Sequence, residues 1–246
     1  EFLIVCPLVF LAGFVDAIAG GGGLISLPAY MFAGIPVHHA IATNKLSSAT
    51  GTAVSTWHLV KSKCVDIFLV PGTVACAFVG SIAGANLALI ISDKVLKTVL
   101  VFVLPVVAFC VLRDKNLKPV IPEGFTRKKQ YLIMAACSFV IGIYDGFYGP
   151  GTGTFLLLAF TKLGKLDIEK ATGNVKVVNL TSNISALITF VLAGKILWVL
   201  GLSASIFSIA GHYLGAHMVV KNGVKVIKPI ILLVLVLLMI KIILGI

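Results

Sequence analysis

The sequence predicts an all-α integral membrane protein with two inverted-topology repeats of about five helical elements each and glycine-broken helix hairpins at membrane depth. Three observations carry this. First, 59% of the 246 residues are hydrophobic and 12% charged, about half the charge of a soluble domain, and mean hydropathy is +1.10. Second, apolar runs such as residues 230–240 do not alternate with polar residues, so the pattern is helical rather than that of a membrane β-barrel. Third, one unusual motif occurs twice. It reads Gly13-Phe-Val-Asp16-Ala-Ile-Ala-Gly20-Gly-Gly-Gly23 and again Gly142-Ile-Tyr-Asp145-Gly-Phe-Tyr-Gly149-Pro-Gly151-Thr-Gly153.

Taken in order, the apolar elements of the first half fall near 2–19, 24–34, 43–60, 67–91 and 94–112. Those of the second half fall near 131–148, 153–163, 172–193, 197–219 and 225–245. A helix needs about 20 residues to cross a bilayer, so the second element of each half is too short to span comfortably. It is expected to pair with the first element through the glycine turn. Residues 2–12 resemble the apolar part of a signal peptide, but Asp16 and the glycine run do not form a cleavage region.

The similarity between the halves reaches beyond the motif. At an offset of 131 positions, Lys45 falls on Lys176, Thr50 on Thr181, Gly80 on Gly211 and Gly84-Ala85 on Gly215-Ala216. Residues 1–113 and 131–246 are read as two copies of one unit, joined by a linker at 114–130. Arg113 at its edge and Lys115, Lys118, Arg127, Lys128 and Lys129 within it place the linker in the cytoplasm. Threading outward from it puts Lys61, Lys63, Lys162, Lys165, Lys170 and Lys221 inside and the His38-His39 turn outside, solvated. This works only if each half crosses an odd number of times, which makes the repeats inverted.

The formal net charge is +11, but the basic residues lie at helix ends and short loops, so no nucleic-acid partner is implied. The five cysteines show no paired spacing, and no metal site or cofactor is expected. The sequence has no nucleophile elbow, zinc-protease motif or phosphate-binding loop, so no catalytic residue is assigned and transport driven by nucleotide hydrolysis is not indicated.

The doubled G-x-x-D-x-x-x-G-x-G pattern, followed by Ala42-Thr43-Asn44-Lys45-Leu46, resembles the sulfite exporter TauE/SafE family of membrane permeases, also known as 4-toluene sulfonate uptake permeases. The resemblance covers nearly the whole chain and includes the duplication. It implies a secondary transporter for sulfite or an organosulfonate, ion- or proton-coupled, in the cytoplasmic membrane. The alternative on the same scaffold is a passive anion channel. One departure is that the first copy has four consecutive glycines where the second has Gly149-Pro150-Gly151-Thr152-Gly153. The half-sites are therefore unequal.

The residues suggest how an anion would be held. Glycine lets backbone approach a ligand closely, and the short helix after each break presents N–H groups and a positive dipole end. The substrate-binding candidates are Gly20, Gly21, Gly22, Gly23 and Ser26 in the first copy, with Gly149, Gly151, Thr152, Gly153 and Thr154 in the second. Close helix packing is the plainer explanation of isolated glycines. Lys45 and Lys176 align near the start of the third elements, beside Asn44 and Asn179, and complete the candidate set. Lysines so placed can instead snorkel to the interface. Asp16 and Asp145 repel an anion when ionised. They are assigned a coupling or structural role: carrying protons, holding the glycine loop, or pairing with a lysine across the repeat. His212, where the first half has Ser81, can relay protons or serve as a hydrogen-bonding partner. Beyond the lipid bilayer and a small anion, a homodimer is the one partner state entertained, since small transporters are often dimeric.

Overall fold

The computed structural model describes residues 1–92, 95 and 124–222. The expected elements at 94–112 and 225–245, most of the linker and Cys110 lie outside the described residues. Among the described residues eight α-helices follow one another: α1 (Phe2–Ala19), α2 (Gly23–Phe32), α3 (Val37–Lys61), α4 (Val70–Ile90), α5 (Arg127–Phe147), α6 (Thr152–Lys162), α7 (Ile168–Leu192) and α8 (Trp198–Asn222). A 3-10 turn at Ile67–Leu69 leads into α4, and no strand occurs among the described residues.

Local chemistry sets the helix ends. The α1 helix stops at Gly20, which takes the left-handed conformation (φ 74°) and returns its N–H to the Asp16 carbonyl at 2.8 Å. Thr126 caps α5 by accepting the Lys129 N–H, and Asp167 caps α7 by accepting those of Glu169 and Lys170. Pro36 immediately precedes α3, so that helix begins six residues earlier than the sequence suggests. His38 and His39 consequently sit in its first turn rather than in a solvated loop. His38 Nε2 lies 3.0 Å from the Ala88 carbonyl and 3.1 Å from that of Ile91, at the otherwise unpaired end of α4. His39 Nδ1 lies 2.8 Å from the Lys195 carbonyl.

Among the described residues five segments are long and apolar enough to cross a membrane: α1, Ile67–Ile90, α5, α7 and α8. Their outer faces present large apolar side chains, including Leu3, Val79, Ile90, Val140, Leu192 and Ile206. In water this surface would be untenable; in lipid it is ordinary. At 10 and 11 residues, α2 and α6 are about 15–17 Å long, roughly half the hydrocarbon thickness.

The packing pairs the two halves rather than each half with itself. The α1 helix lies against α8 and α4 against α5, while α3 and α7 pack together. Small residues make the first two contacts close: Gly211 and Gly215 sit on the backbone of Phe10 and Phe14, and Gly80 and Gly84 on that of Phe139 and Ile143. Two apolar clusters form. One gathers Ile18, Leu59, Leu69, Met134, Phe160 and Ile168. The other gathers Val5, Tyr30, Ile41, Ala88, Phe190 and Leu200. Between them α3 and α7 bury a polar stripe that includes Thr43, Asn44, Ser47 and Thr52 on one helix, with Asn174, Asn179, Ser182 and Asn183 on the other. Buried polar groups of this density need partners, and the partners define the site.

Candidate functional site

The two aspartates and two lysines form a crossed pair of salt bridges. Lys45 of the first half reaches Asp145 of the second, Nζ to Oδ2, at 2.8 Å. Lys176 of the second half reaches Asp16 of the first, again at 2.8 Å. Lys45, Asp145 and Lys176 are buried and Asp16 is partly buried, and neither lysine snorkels to an interface. An isolated charge at such depth is costly, so the pairing is what makes four ionisable groups tolerable here.

Each pair is held by further contacts, and these differ. Asp145 Oδ2 also accepts the Ser182 hydroxyl at 2.5 Å, and Lys45 donates to Asn183 Oδ1 at 3.0 Å. Asp16 Oδ1 accepts the Gly22 N–H at 3.2 Å, so this carboxylate holds the first glycine loop. Lys176 additionally donates to the main-chain carbonyl of Asp16. A cation at the carboxyl end of α1 complements the helix dipole, which an aspartate alone would oppose. His212 Nε2 lies 3.2 Å from Asp16 Oδ2, where no equivalent exists at Asp145.

The glycine loops meet backbone to backbone. Gly20 and Gly153 are in such close contact that a Cβ on either would overlap the other's main chain. Thr154 donates its N–H to the Gly20 carbonyl at 3.3 Å and its hydroxyl to that of Ala19 at 2.9 Å. Thr152 donates its N–H and its hydroxyl to the Gly149 carbonyl. In the first copy, Leu24 bonds to Gly21, and Ile25 and Ser26 to Gly22. Most of the helix-end N–H groups that the sequence offers to an anion are thus turned onto carbonyls.

A cavity of about 30 Å³ lies beside the two pairs, with room for about two waters. Of the residues singled out from the sequence, Gly22, Gly23 and Ser26 line it from the first loop, and Gly149 from the second. Asp16, Asn44, Lys45, Asp145 and Asn179 line it from the helices. Gly20, Gly21, Gly151, Thr152, Gly153 and Thr154 do not line the cavity; Gly20, Gly153 and Thr154 make the contact between the loops, and Lys176 stands behind Asp16.

Two polar atoms beside the cavity have no hydrogen-bond partner among the described residues: the Tyr148 hydroxyl and Asn44 Oδ1. Both are buried. Tyr148 reads in the sequence as a spacer within the second motif. Only its position before Gly149, on the cavity wall that Lys45 also lines, marks it afterwards. His212 and Ser208 also border the cavity, from α8.

The sulfite exporter TauE/SafE family profile matches residues 5–242 of this chain. The chain belongs to the TauE/SafE sulfite exporter family. It is 37% identical over 232 residues to the probable membrane transporter protein YfcA of Escherichia coli strain K12, covering 92% of this chain and 84% of that protein. It is 34% identical to the probable membrane transporter protein ORF9 of Sinorhizobium sp, covering 92% and 85%. A probable membrane transporter protein of Haemophilus influenzae is 35% identical, covering 91% and 87%. No solved structure matches the chain. With its apolar spans, this TauE/SafE member is a multi-pass membrane transporter.

Proposed function

We propose that this protein is a secondary permease that carries sulfite or an organosulfonate across the cytoplasmic membrane by alternating access. The substrate class follows the family description. The observation that carries the mechanism is the crossed pair of buried salt bridges beside a small polar cavity.

The inverted-repeat reading is supported by the direction in which each helix runs between the two apolar clusters. The α1 helix runs from the cluster containing Val5 to that containing Ile18, while α5 starts in the latter at Met134 and finishes at Tyr148 in the former. Helices α3 and α7, and likewise α4 and α8, run oppositely in the same sense. The basic residues Lys61, Lys63, Arg127, Lys165 and Lys170 flank elements at the Ile18 end, where Lys170 Nζ donates to the Lys63 carbonyl and Arg127 reaches Asp66. That clustering supports a cytoplasmic side for this end and for the linker 114–130.

The chemistry fits a carrier. A cavity of about 30 Å³ is too small for a sulfonate, so entry requires the halves to move apart. Movement strains both ion pairs, and a sulfur oxyanion can take the place of a carboxylate on Lys45 or Lys176. The Tyr148 hydroxyl and the Asn44 and Asn179 amides supply uncharged groups that select for oxygen-rich anions. With each lysine already balanced by an aspartate, the site avoids the strong attraction that would trap its cargo. A channel would instead keep a continuous pore lined by rings of charge.

The hydroxyl of Tyr148 gives a clean test. Because it has no partner among the described residues, Tyr148→Phe should leave the unliganded protein's stability unchanged or raise it by up to about 1 kcal/mol. Stabilisation of the detergent-solubilised protein by sulfite, thiosulfate or methanesulfonate should require about fivefold more anion in this variant. Equal stabilisation of both proteins by all three anions would remove Tyr148 from the site. Absence of stabilisation in the wild type would count against the substrate class.

A further inference from the structure

We infer that His212 and Asp16 together form the proton site of the transporter, binding one proton for each anion carried. This rests on the transport reading above and names its coupling ion and carrier.

Both ring nitrogens of His212 face oxygens. Nδ1 lies 2.9 Å from the Ser208 carbonyl, which accepts, and 3.3 Å from the Ser208 hydroxyl, which can donate. Nε2 lies 3.2 Å from Asp16 Oδ2. The neutral ring is satisfied with Nε2–H donating to Asp16 and Nδ1 accepting from the Ser208 hydroxyl. Imidazolium is satisfied as well, with Nδ1–H donating to the Ser208 carbonyl and Nε2–H to Asp16. The geometry therefore has an acceptor ready for one further proton on the pair.

The surrounding charges make that proton relevant to an anion. From α1 the group facing His212 is Asp16, and behind it Lys176 of α7 is already committed to that carboxylate. Across the cavity Lys45 of α3 and Asp145 of α5 cancel. Five residues further along α8, His217 and His58 of α3 stand against each other, ring centroids 6.0 Å apart. Without the proton the two aspartates and two lysines sum to zero. With it the site carries one positive charge, matching one monovalent anion. Proton and anion therefore favour each other's binding, as linkage requires.

The repeat shows that this is a specific departure. The counterpart of His212 is Ser81, whose hydroxyl donates to the Ser182 carbonyl at 2.6 Å. The counterpart of Ser182 is Gly51, where a Cβ would overlap the His212 ring and the Ser208 hydroxyl. At Asp145 a serine hydroxyl supports the carboxylate; at Asp16 the serine is replaced by glycine and the vacated volume holds a titratable ring.

The experiment uses proteoliposomes containing the full chain, labelled sulfite and labelled methanesulfonate, and two readouts: accumulation driven by an acidic exterior, and exchange against internal unlabelled anion. Methanesulfonate stays ionised near neutral pH, so its pH dependence belongs to the protein. The variants are His212→Gln and the double variant Gly51→Ser/His212→Ser, which rebuilds the first site in the image of the second. The ratio of driven accumulation to exchange should fall at least about tenfold in both variants, the scale of a proton coupling. Wild-type accumulation of methanesulfonate should decline as the exterior is made less acidic. An unchanged ratio in both variants overturns the proton site and leaves the transport reading intact. Loss of exchange and accumulation in parallel in both variants assigns His212 to the site's framework and also overturns it. No movement of either anion by the wild type overturns the transport reading, and the proton site with it.

Discussion

Lys45→Met alone is expected to destabilise the protein by about 3–5 kcal/mol, because it strands the Asp145 carboxylate in the interior. Asp145→Leu alone should cost a similar amount by stranding the ammonium. The double variant Lys45→Met/Asp145→Leu should recover most of that loss, since apolar groups of similar volume need no partner. The Ser182 hydroxyl and Asn183 amide lose an acceptor and a donor in that variant, so recovery should fall short of complete by about 1–2 kcal/mol. A double-mutant cycle of denaturation midpoints in detergent measures the coupling. Simple addition of the two single costs would mean the pair does not exist in the membrane protein. The stable double variant should nevertheless fail to transport, and this separates folding from function.

The second large effect is expected at the loop contact. Gly153→Ala places a methyl group against Gly20 backbone, with the Gly20 carbonyl oxygen 2.8 Å away. Backbone on both sides cannot yield as a flexible side chain would. A cost of about 3 kcal/mol, the upper part of the overpacking range, is expected together with loss of transport. Gly20→Ala adds a left-handed φ of 74° to the same overlap and should be worse by about 1–2 kcal/mol. Gly34→Ala provides the comparison: φ is +83° there, but nothing lies within 4 Å, so only the conformational cost of about 1 kcal/mol applies. Thermal unfolding should show the largest loss for Gly20→Ala, a smaller one for Gly153→Ala and the smallest for Gly34→Ala. Equal losses at Gly34 and Gly153 would contradict the contact between the loops.

Much of the fold could be read from residues alone. The apolar run ending at Asp16 and Gly20 gives α1 to within a residue, and the short second elements fall at α2 and α6 within two. The starts of α3 and α7 were harder, because His38, His39, Glu169 and Lys170 look like loop residues. In the structure the histidines serve the carbonyl end of α4 and Asp167 caps α7. The site was legible as a set of residue types rather than as a geometry. Buried aspartates beside glycine breaks and aligned lysines on the third elements are visible in the sequence, but which lysine meets which aspartate is fixed by how the halves cross. The closing of helix-end N–H groups onto Gly20, Gly21 and Gly149 carbonyls depends on loop conformation, which no spacing encodes. Tyr148 and the Gly51–His212 exchange emerge only when the two half-sites are laid side by side in space.

The most direct test of the central claim is counterflow of labelled sulfite in proteoliposomes, comparing the wild type with the Lys45→Met/Asp145→Leu variant. A carrier with its site between the crossed pairs should show labelled sulfite rising transiently above equilibrium in vesicles preloaded with unlabelled sulfite. The folded double variant should show no such overshoot. Monotonic equilibration that internal sulfite does not change, or an overshoot that survives loss of the Lys45–Asp145 pair, would contradict it.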